Sequence, residues 1–391
     1  MRPQKKWRVL KWGGSFIYLD PKETSSYLNS LAESCSLCGI ISDSAECDFA
    51  KTLAPPFSLD HLCQLFQRPL TPPLPLPSPD PLCYIMTTSG STGTPKLVRV
   101  PHSCILPNIS DFRRLYSMTP EDGVLLVSPL PFDPILCLCV LCFRRLYSMT
   151  PEDGVLLVSP LTFDPSIVDI FLALSSGACL ILLPHHLTLH SPIINTILCT
   201  DKAVTILQVT PSFVMSLGLD FFWRLLQPEQ SRLRVVAFGG EPLPAPLLST
   251  ISRYQSLHGN SSHPVRFYNL YGITEVSCWA AVLADFHWSE TQSRESALAL
   301  GDPLTDTILE LRDNSGKVIS GDGQGRLFIG GDRRRTLVGD EVWLSAPVMR
   351  QSGDIVRRRN GTMYFVAREN DDAQIKRLGK RINLASIEKV E

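Results

Sequence analysis

A chain of 391 residues, 44% hydrophobic and 19% charged, can bury a large core and should hold more than one structural unit. Its formal net charge of −1 supplies no electrostatic drive toward nucleic acid or an anionic membrane, so neither is expected as a partner. The most apolar window, 124–142, is broken by Pro129, Pro131, Asp133 and Pro134, which argues against a membrane span.

Residues 1–7 are basic, but no apolar stretch of signal-peptide type follows them, so no leader is expected. The 12 cysteines are scattered and read as reduced thiols of a cytoplasmic protein. Cys35 and Cys38, and Cys137, Cys139 and Cys142, have metal-like spacings. The second group sits in an apolar run, where thiols acting as small hydrophobes are the preferred reading. A helix end at Gly13-Gly14, a strand and a turn at Asp20-Pro21 suggest α/β structure over residues 1–50. Seven prolines in 69–81 make an extended connector, read as a spacer rather than as an SH3 ligand.

Residues 87–96 read Thr-Thr-Ser-Gly-Ser-Thr-Gly-Thr-Pro-Lys, just after an apolar stretch. Gly90 and Gly93 let backbone N–H groups turn toward an anion; Thr88, Ser89, Ser91, Thr92 and Thr94 add hydroxyls, and Lys96 adds a positive charge. Pro95 before Lys96 and Leu97 after it exclude the common nucleoside triphosphatase loop, which needs Gly before and Ser or Thr after the lysine. Residues 112–134 recur as 143–165 with one difference, Pro131 against Thr162. Two near-identical copies look like a tandem duplication or a gene-model error rather than a solenoid. Each copy carries one strand, so one copy should be displaced from the sheet.

Strand candidates at 124–127, 178–183, 204–208 and 235–238 alternate with helical patterns, which predicts a parallel sheet covered by helices. Gly239-Gly240-Glu241 follows the last of these, where ligands of open α/β sheets sit, although a tight turn reads the same way. Tyr268 to Glu275, after a strand-like 264–267, reads as a loop. Its ring can stack on a purine, its hydroxyl can donate, and its carboxylate can hold Mg²⁺ beside phosphates. From about 299 short alternating runs and turns at Asn314-Ser315-Gly316, 321–323 and Asn360-Gly361 predict a small antiparallel barrel or hairpin set. Ser352-Gly353-Asp354 ends a β segment, with a carboxylate able to accept two ribose hydroxyls, and 374–381 reads as a basic hairpin.

In order and spacing, segments 10–21, 88–96, 163–171, 268–275 and 352–381 resemble the signatures of the adenylate-forming superfamily, which includes acyl-CoA synthetases and the adenylation domains of peptide synthetases. The resemblance implies a large adenylation domain over 1–366, with a β-rich subdomain at about 299–366, then a hinge and the start of a small α+β domain over 367–391. It implies ATP and Mg²⁺ as cofactors. Residues 88–96 would wrap the β- and γ-phosphates, Glu275 would hold the metal and Thr274 would lie near the α-phosphate. Tyr271 would stack on adenine, bordered by Gly240 and Glu241; Asp354 would take the ribose hydroxyls, and Arg368 would help hold the nucleotide. Lys96, Thr274 and Glu275 are the expected catalytic set.

In amino-acid-activating relatives an Asp at the place of Asp164 pairs with the substrate ammonium. Leaving a buried carboxylate unpaired costs on the order of several kcal/mol, so Asp164 implies a small amino acid such as beta-alanine. The alternative is that Asp164-Pro165 only starts a helix. Asp133, in the other copy, lacks the same continuation and receives no pocket role. The implied reaction makes an acyl-adenylate and then a thioester on a phosphopantetheine thiol, with Gly379 lining the thiol's tunnel and Asp371 or Asp372 at the hinge.

The chain departs from the pattern in places. It starts at the first signature, and the family's catalytic C-terminal lysine and carrier domain are expected beyond Glu391, so impaired catalysis is expected. Ala367 stands where the family has glycine. A non-catalytic nucleotide-binding relic and a fatty acyl-CoA synthetase are the alternative readings.

Overall fold

The computed structural model describes residues 15–19, 23–35, 37, 40–42, 56–58, 80–88, 96–120, 122–126, 163–182, 198–199, 204–259, 264–288, 298–342, 347–369, 374–377 and 380–383. The first strand, β1 (Phe16–Ile17), precedes helix α1 (Ser25–Ser34), whose first turn is capped by the Thr24 hydroxyl accepting the Tyr27 N–H. Two short strands, β2 (Ile40–Ser42) and β3 (Pro56–Ser58), pair in parallel. The antiparallel pair β4 (Leu82–Thr88) and β5 (Lys96–Pro101) sets Thr88 opposite Lys96. Helix α2 (His102–Leu115) starts where β5 stops and carries Arg113 and Arg114 in its last turn, where cations favour the carboxyl end of a helix.

The central layer follows: β6 (Gly123–Leu126), α3 (Pro165–Ser176), β7 (Cys179–Leu182), β8 (Ile206–Val209), α4 (Pro211–Leu217), α5 (Leu219–Leu225), β9 (Val235–Gly239), α6 (Ala245–His258), β10 (Arg266–Tyr271), β11 (Ala281–Leu283) and β12 (Asp302–Pro303). They build a seven-stranded sheet of order β12-β11-β10-β9-β8-β6-β7, in which β6 to β10 run parallel and β11 and β12 are antiparallel additions. Alternate residues feed opposite faces. Ile206, Val235, Ala237, Tyr268 and Leu270 pack with Ile105, Ile109 and Phe112 of α2 and Ile167, Val168 and Leu172 of α3. Leu207, Val209, Val236, Phe238 and Phe267 pack with Phe213 of α4, Phe222 of α5, and Leu247, Ile251 and Tyr254 of α6. Burial on both faces explains why β9 reads as an unbroken apolar run and why Gln208, the one polar residue of β8, is itself buried and hydrogen-bonded.

Beyond it lie β13 (Ile308–Arg312), β14 (Gly323–Gly331), β15 (Leu337–Val338), β16 (Val348–Arg359), β17 (Thr362–Arg368), β18 (Gln374–Arg377) and β19 (Lys380–Asn383). Strands β13-β14-β16-β17 form an antiparallel sheet, β15 joins β5 in a second sheet of order β1-β4-β5-β15, and β18 and β19 pair as the basic hairpin. The α/β class and the antiparallel strands are as expected, but no pairing among the described residues closes β13–β17 into a barrel. The turn at Asn360-Gly361 has φ of 49° and 78°, the left-handed pair that a two-residue hairpin demands.

Two sequence expectations need correction. Tyr268 to Tyr271 are strand, the end of β10, rather than loop, because Tyr268 and Leu270 are needed in the core. Ser352-Gly353-Asp354 lies in the middle of β16 rather than at its end. The strand of the first duplicate copy is β6, within the sheet, and Phe163–Pro165 of the second copy leads into α3. The rest of the second copy, with Asp133, the prolines of 69–79 and the turns at 13–14 and 20–21, lies outside the described residues.

Candidate functional site

Five parallel strands put their carboxyl ends along one edge, and the residues that follow β8, β9 and β10 gather there. After β8, Thr210 caps α4 by accepting the Phe213 N–H. After β9, Gly240 turns with φ of 84°. An added Cβ there would meet only Thr210 and Phe163, at 3.7 and 3.8 Å, so the backbone angle and not crowding calls for glycine. The next residue, Glu241, accepts the Ser212 N–H at 3.1 Å, which ties this turn to α4.

After β10 the chain reverses sharply. A Cβ on Gly272 would lie 1.9 Å from the Cys278 carbonyl oxygen, so only glycine fits. Thr274, Glu275 and Val276 make one 3₁₀ turn, and Ser277 and Cys278 follow with φ of 69° and 72°. Glu275 Oε2 is buried and has no hydrogen-bond partner among the described residues. A buried carboxylate oxygen without a donor suits a cation, so Glu275 fits the expected metal role. The Trp279 ring packs against Gly239, where a Cβ would come within 2.3 Å of it, and its indole Nε1 is also buried without a partner among the described residues.

Three residues assigned to the nucleotide converge. The Tyr271 hydroxyl donates to Asp354 Oδ2 at 2.6 Å, and Arg368 Nε lies 2.9 Å from Asp354 Oδ1. Asp354 is buried, and a local irregularity in the β14–β16 pairing aims it: Gly353 adopts φ of 77° where register is lost opposite Leu327. The Ser352 hydroxyl donates to the Leu327 carbonyl and accepts the Asp354 N–H, which fixes that bulge. Burial first, and then the Asp354 charge, push the Tyr271 hydroxyl well above its ordinary value, so it stays a donor.

Asp164 is buried immediately before α3, and its carbonyl accepts the Ile167 N–H. Its charge acts on Tyr84 of β4 and on Cys278. Burial and then Asp164 raise both groups well above their usual values. Asp164 therefore lies near Tyr84 and Cys278, and Phe163 lies beside Gly240. Deeper in α3, burial pushes the Asp169 carboxyl up strongly, opposed by the Gln208 Nε2 bond of 3.0 Å.

Thr88 and the exposed Lys96 close the base of the hydroxyl-rich segment from paired strands. Residues 89–95, Asp371, Asp372 and Gly379 lie outside the described residues. Sequence patterns did not mark Thr210, visible only once β8 and β9 are assembled; Phe163 lies in the 163–171 signature, but its place beside Gly240 appears only in the fold.

The AMP-binding enzyme family model matches residues 20–146 and 134–334, two stretches that overlap inside the duplicated region. The beta-alanine-activating enzyme of Danio rerio is 38% identical over 313 residues, 80% of this chain and 24% of that protein. The Homo sapiens enzyme of that name is 37% identical over 311 residues, 79% of this chain and 25% of its own length. The chain thus spans about a quarter of these relatives. Among solved structures, the Vibrio cholerae adenylation domain AlmE in complex with glycyl-adenosine-5'-phosphate superposes with TM-score 0.70 at 21% identity, covering 98% of this chain and 71% of that one. An NRPS protein containing adenylation and PCP domains superposes with TM-score 0.72 at 20% identity, covering 98% and 60%. No helix among the described residues is long and apolar enough to cross a membrane. With the fold shared by adenylation domains and the family model matched over most of its length, the chain belongs to the AMP-binding enzyme family.

Proposed function

We propose that this chain is an amino-acid-activating module that joins a small amino acid, beta-alanine by preference, to AMP at the expense of ATP. The observation that carries this reading is the convergence of Tyr271, Asp354 and Arg368, with the buried Asp164 close enough to act on Cys278 of the 272–279 turn. Two subsites follow: a polar nucleotide side, and a pocket whose buried carboxylate suits an ammonium.

Asp354 and Arg368 bind the nucleoside, with Asp354 exchanging its Tyr271 bond for ribose hydroxyls as the ring turns to adenine. Lys96 and the hydroxyl-rich segment 88–95 hold the triphosphate, and Thr274 lies along the α-phosphate. Glu275 holds Mg²⁺, which supplies charge neutralisation across the phosphates when bound. Asp164 fixes the substrate ammonium so that its carboxylate meets the α-phosphate; catalysis is then positioning and charge stabilisation in a site closed to water. The thioester half-reaction on a phosphopantetheine thiol is the proposed continuation, supported by likeness to a protein with adenylation and PCP domains. Segments 371–372 and 379 are its proposed hinge and tunnel. We place the boundary between the large and small domains near 366, and the protein in the cytoplasm.

Pyrophosphate release from Mg·ATP tests this reading. Stimulation by beta-alanine above that by a long-chain fatty acid is expected. A larger response to the fatty acid would overturn the use of Asp164, and ATP binding with no amino-acid-dependent release would mark a non-catalytic nucleotide binder.

A further inference from the structure

The turn that carries Glu275 is gripped from outside. Three successive carbonyls, of Glu275, Val276 and Ser277, each accept a side-chain donor from one of two distant parts of the chain. The Thr336 hydroxyl donates to the Glu275 carbonyl, Arg334 Nη1 to the Val276 carbonyl at 3.2 Å, and Asn108 Nδ2 to the Ser277 carbonyl at 2.8 Å. Asn108 comes from α2; Arg334 and Thr336 precede β15. All three are fully buried, at 0% exposure.

The donors are themselves held. Arg334 Nε and Nη2 both donate to the Thr307 hydroxyl, at 3.0 and 2.6 Å, and Arg350 Nη2 donates to the Thr336 carbonyl at 2.6 Å while pairing with Glu341. The turn needs such support. Ser277 and Cys278 are consecutive residues with side chains in the left-handed region, a conformation that persists only where the surroundings over-determine it. A turn free to relax would move the Glu275 carboxylate on one side and Cys278 and Trp279 on the other.

We infer that Thr336, Arg334 and Asn108 are positioning residues: a carbonyl clamp that holds the 275–278 turn so that Glu275 presents its carboxylate to the nucleotide's Mg²⁺. The clamp rests on the adenylation reading above, but its test separates the two. None of the three touches a reacting atom; they act through the backbone that bears Glu275.

Calorimetry of ATP binding to the full chain, with and without Mg²⁺, reads the clamp directly. The unaltered chain should bind ATP more tightly with Mg²⁺. Thr336→Val should lose about tenfold of that gain, the usual scale for removing support from a metal ligand, with its Mg²⁺-free affinity unchanged. Thr336→Ser, which keeps the hydroxyl, should restore it. If the buried valine prevents folding, judged by thermal melting, Thr336→Ala removes the hydroxyl without adding bulk. A folded hydroxyl-less variant with the full Mg²⁺ gain overturns the clamp while leaving the adenylation reading intact. Absence of ATP binding by the unaltered chain overturns both.

Discussion

At the scale of single residues, the substrate assignment rests on Asp164. Burial first, and then the Asp164 charge, raise Tyr84 and Cys278, and the same charge would favour a cation placed beside it. Asp164→Ala should therefore raise the beta-alanine concentration needed for half-maximal pyrophosphate release by about tenfold or more, in line with the roughly 1.5–3 kcal/mol of a hydrogen bond to a charged group. ATP affinity, read by calorimetry, should not change. An equal loss for ATP would show that Asp164 only starts α3. The sequence made some of these residues legible because glycine, hydroxyl and acid types cluster in short motifs at fixed order. It gave no sign of Asn108, Arg334 or Thr336, which reach the 275–277 carbonyls from 58 to 169 positions away in either direction. A buried asparagine or threonine has no local signature.

At the scale of elements, periodicity and turn chemistry located the strands well, to within one or two residues at β6, β7, β8 and β9. Where the reading slipped, at Tyr268–Tyr271 and at Asp354, motif residues were embedded in strands that continue through them. Only pairing with β9 and β14 reveals that. Opposite the site, the amino ends of three central strands are tied by one carboxylate. Asp122, just before β6, accepts from Thr205 before β8 at 2.6 Å and from Arg234 Nε before β9 at 2.7 Å, and pairs with the Arg234 guanidinium. Burial alone would push its carboxyl up; the Arg234, Thr205 and Thr119 hydrogen bonds outweigh that and hold it below the ordinary value. A lowered folded value means that the group stabilises the fold above the unfolded carboxylate value of about 3.9 and ceases to as pH falls through the folded one. Thermal melts should therefore show Asp122→Asn less stable than the unaltered chain at pH 7, with the gap closing as pH drops below about 4. A gap that persists unchanged at pH 2 would show that the carboxylate's charge is not what ties the strands.

At the scale of the whole molecule, the duplication is the feature that sequence reading flagged and the fold explains in part. One copy provides β6, the tail of the other leads into α3, and the family model matches in two stretches that meet inside the repeat. Deleting residues 127–157 joins Leu126 to Val158 and restores a single copy. The deleted chain should melt at the same temperature or higher. A fall of more than about 4 °C, on the order of 1 kcal/mol or more for a chain of this size, would show that the extra copy is part of the fold.

In the proposed function, the hydroxyl-rich segment between β4 and β5 grips the triphosphate of ATP. ATP binding by calorimetry, in the presence of Mg²⁺, tests it with one comparison. The unaltered chain should bind, and Lys96→Ala should bind at least about tenfold more weakly, the scale of one lost charge-assisted bond. Equal affinities, or no binding by the unaltered chain, would contradict it.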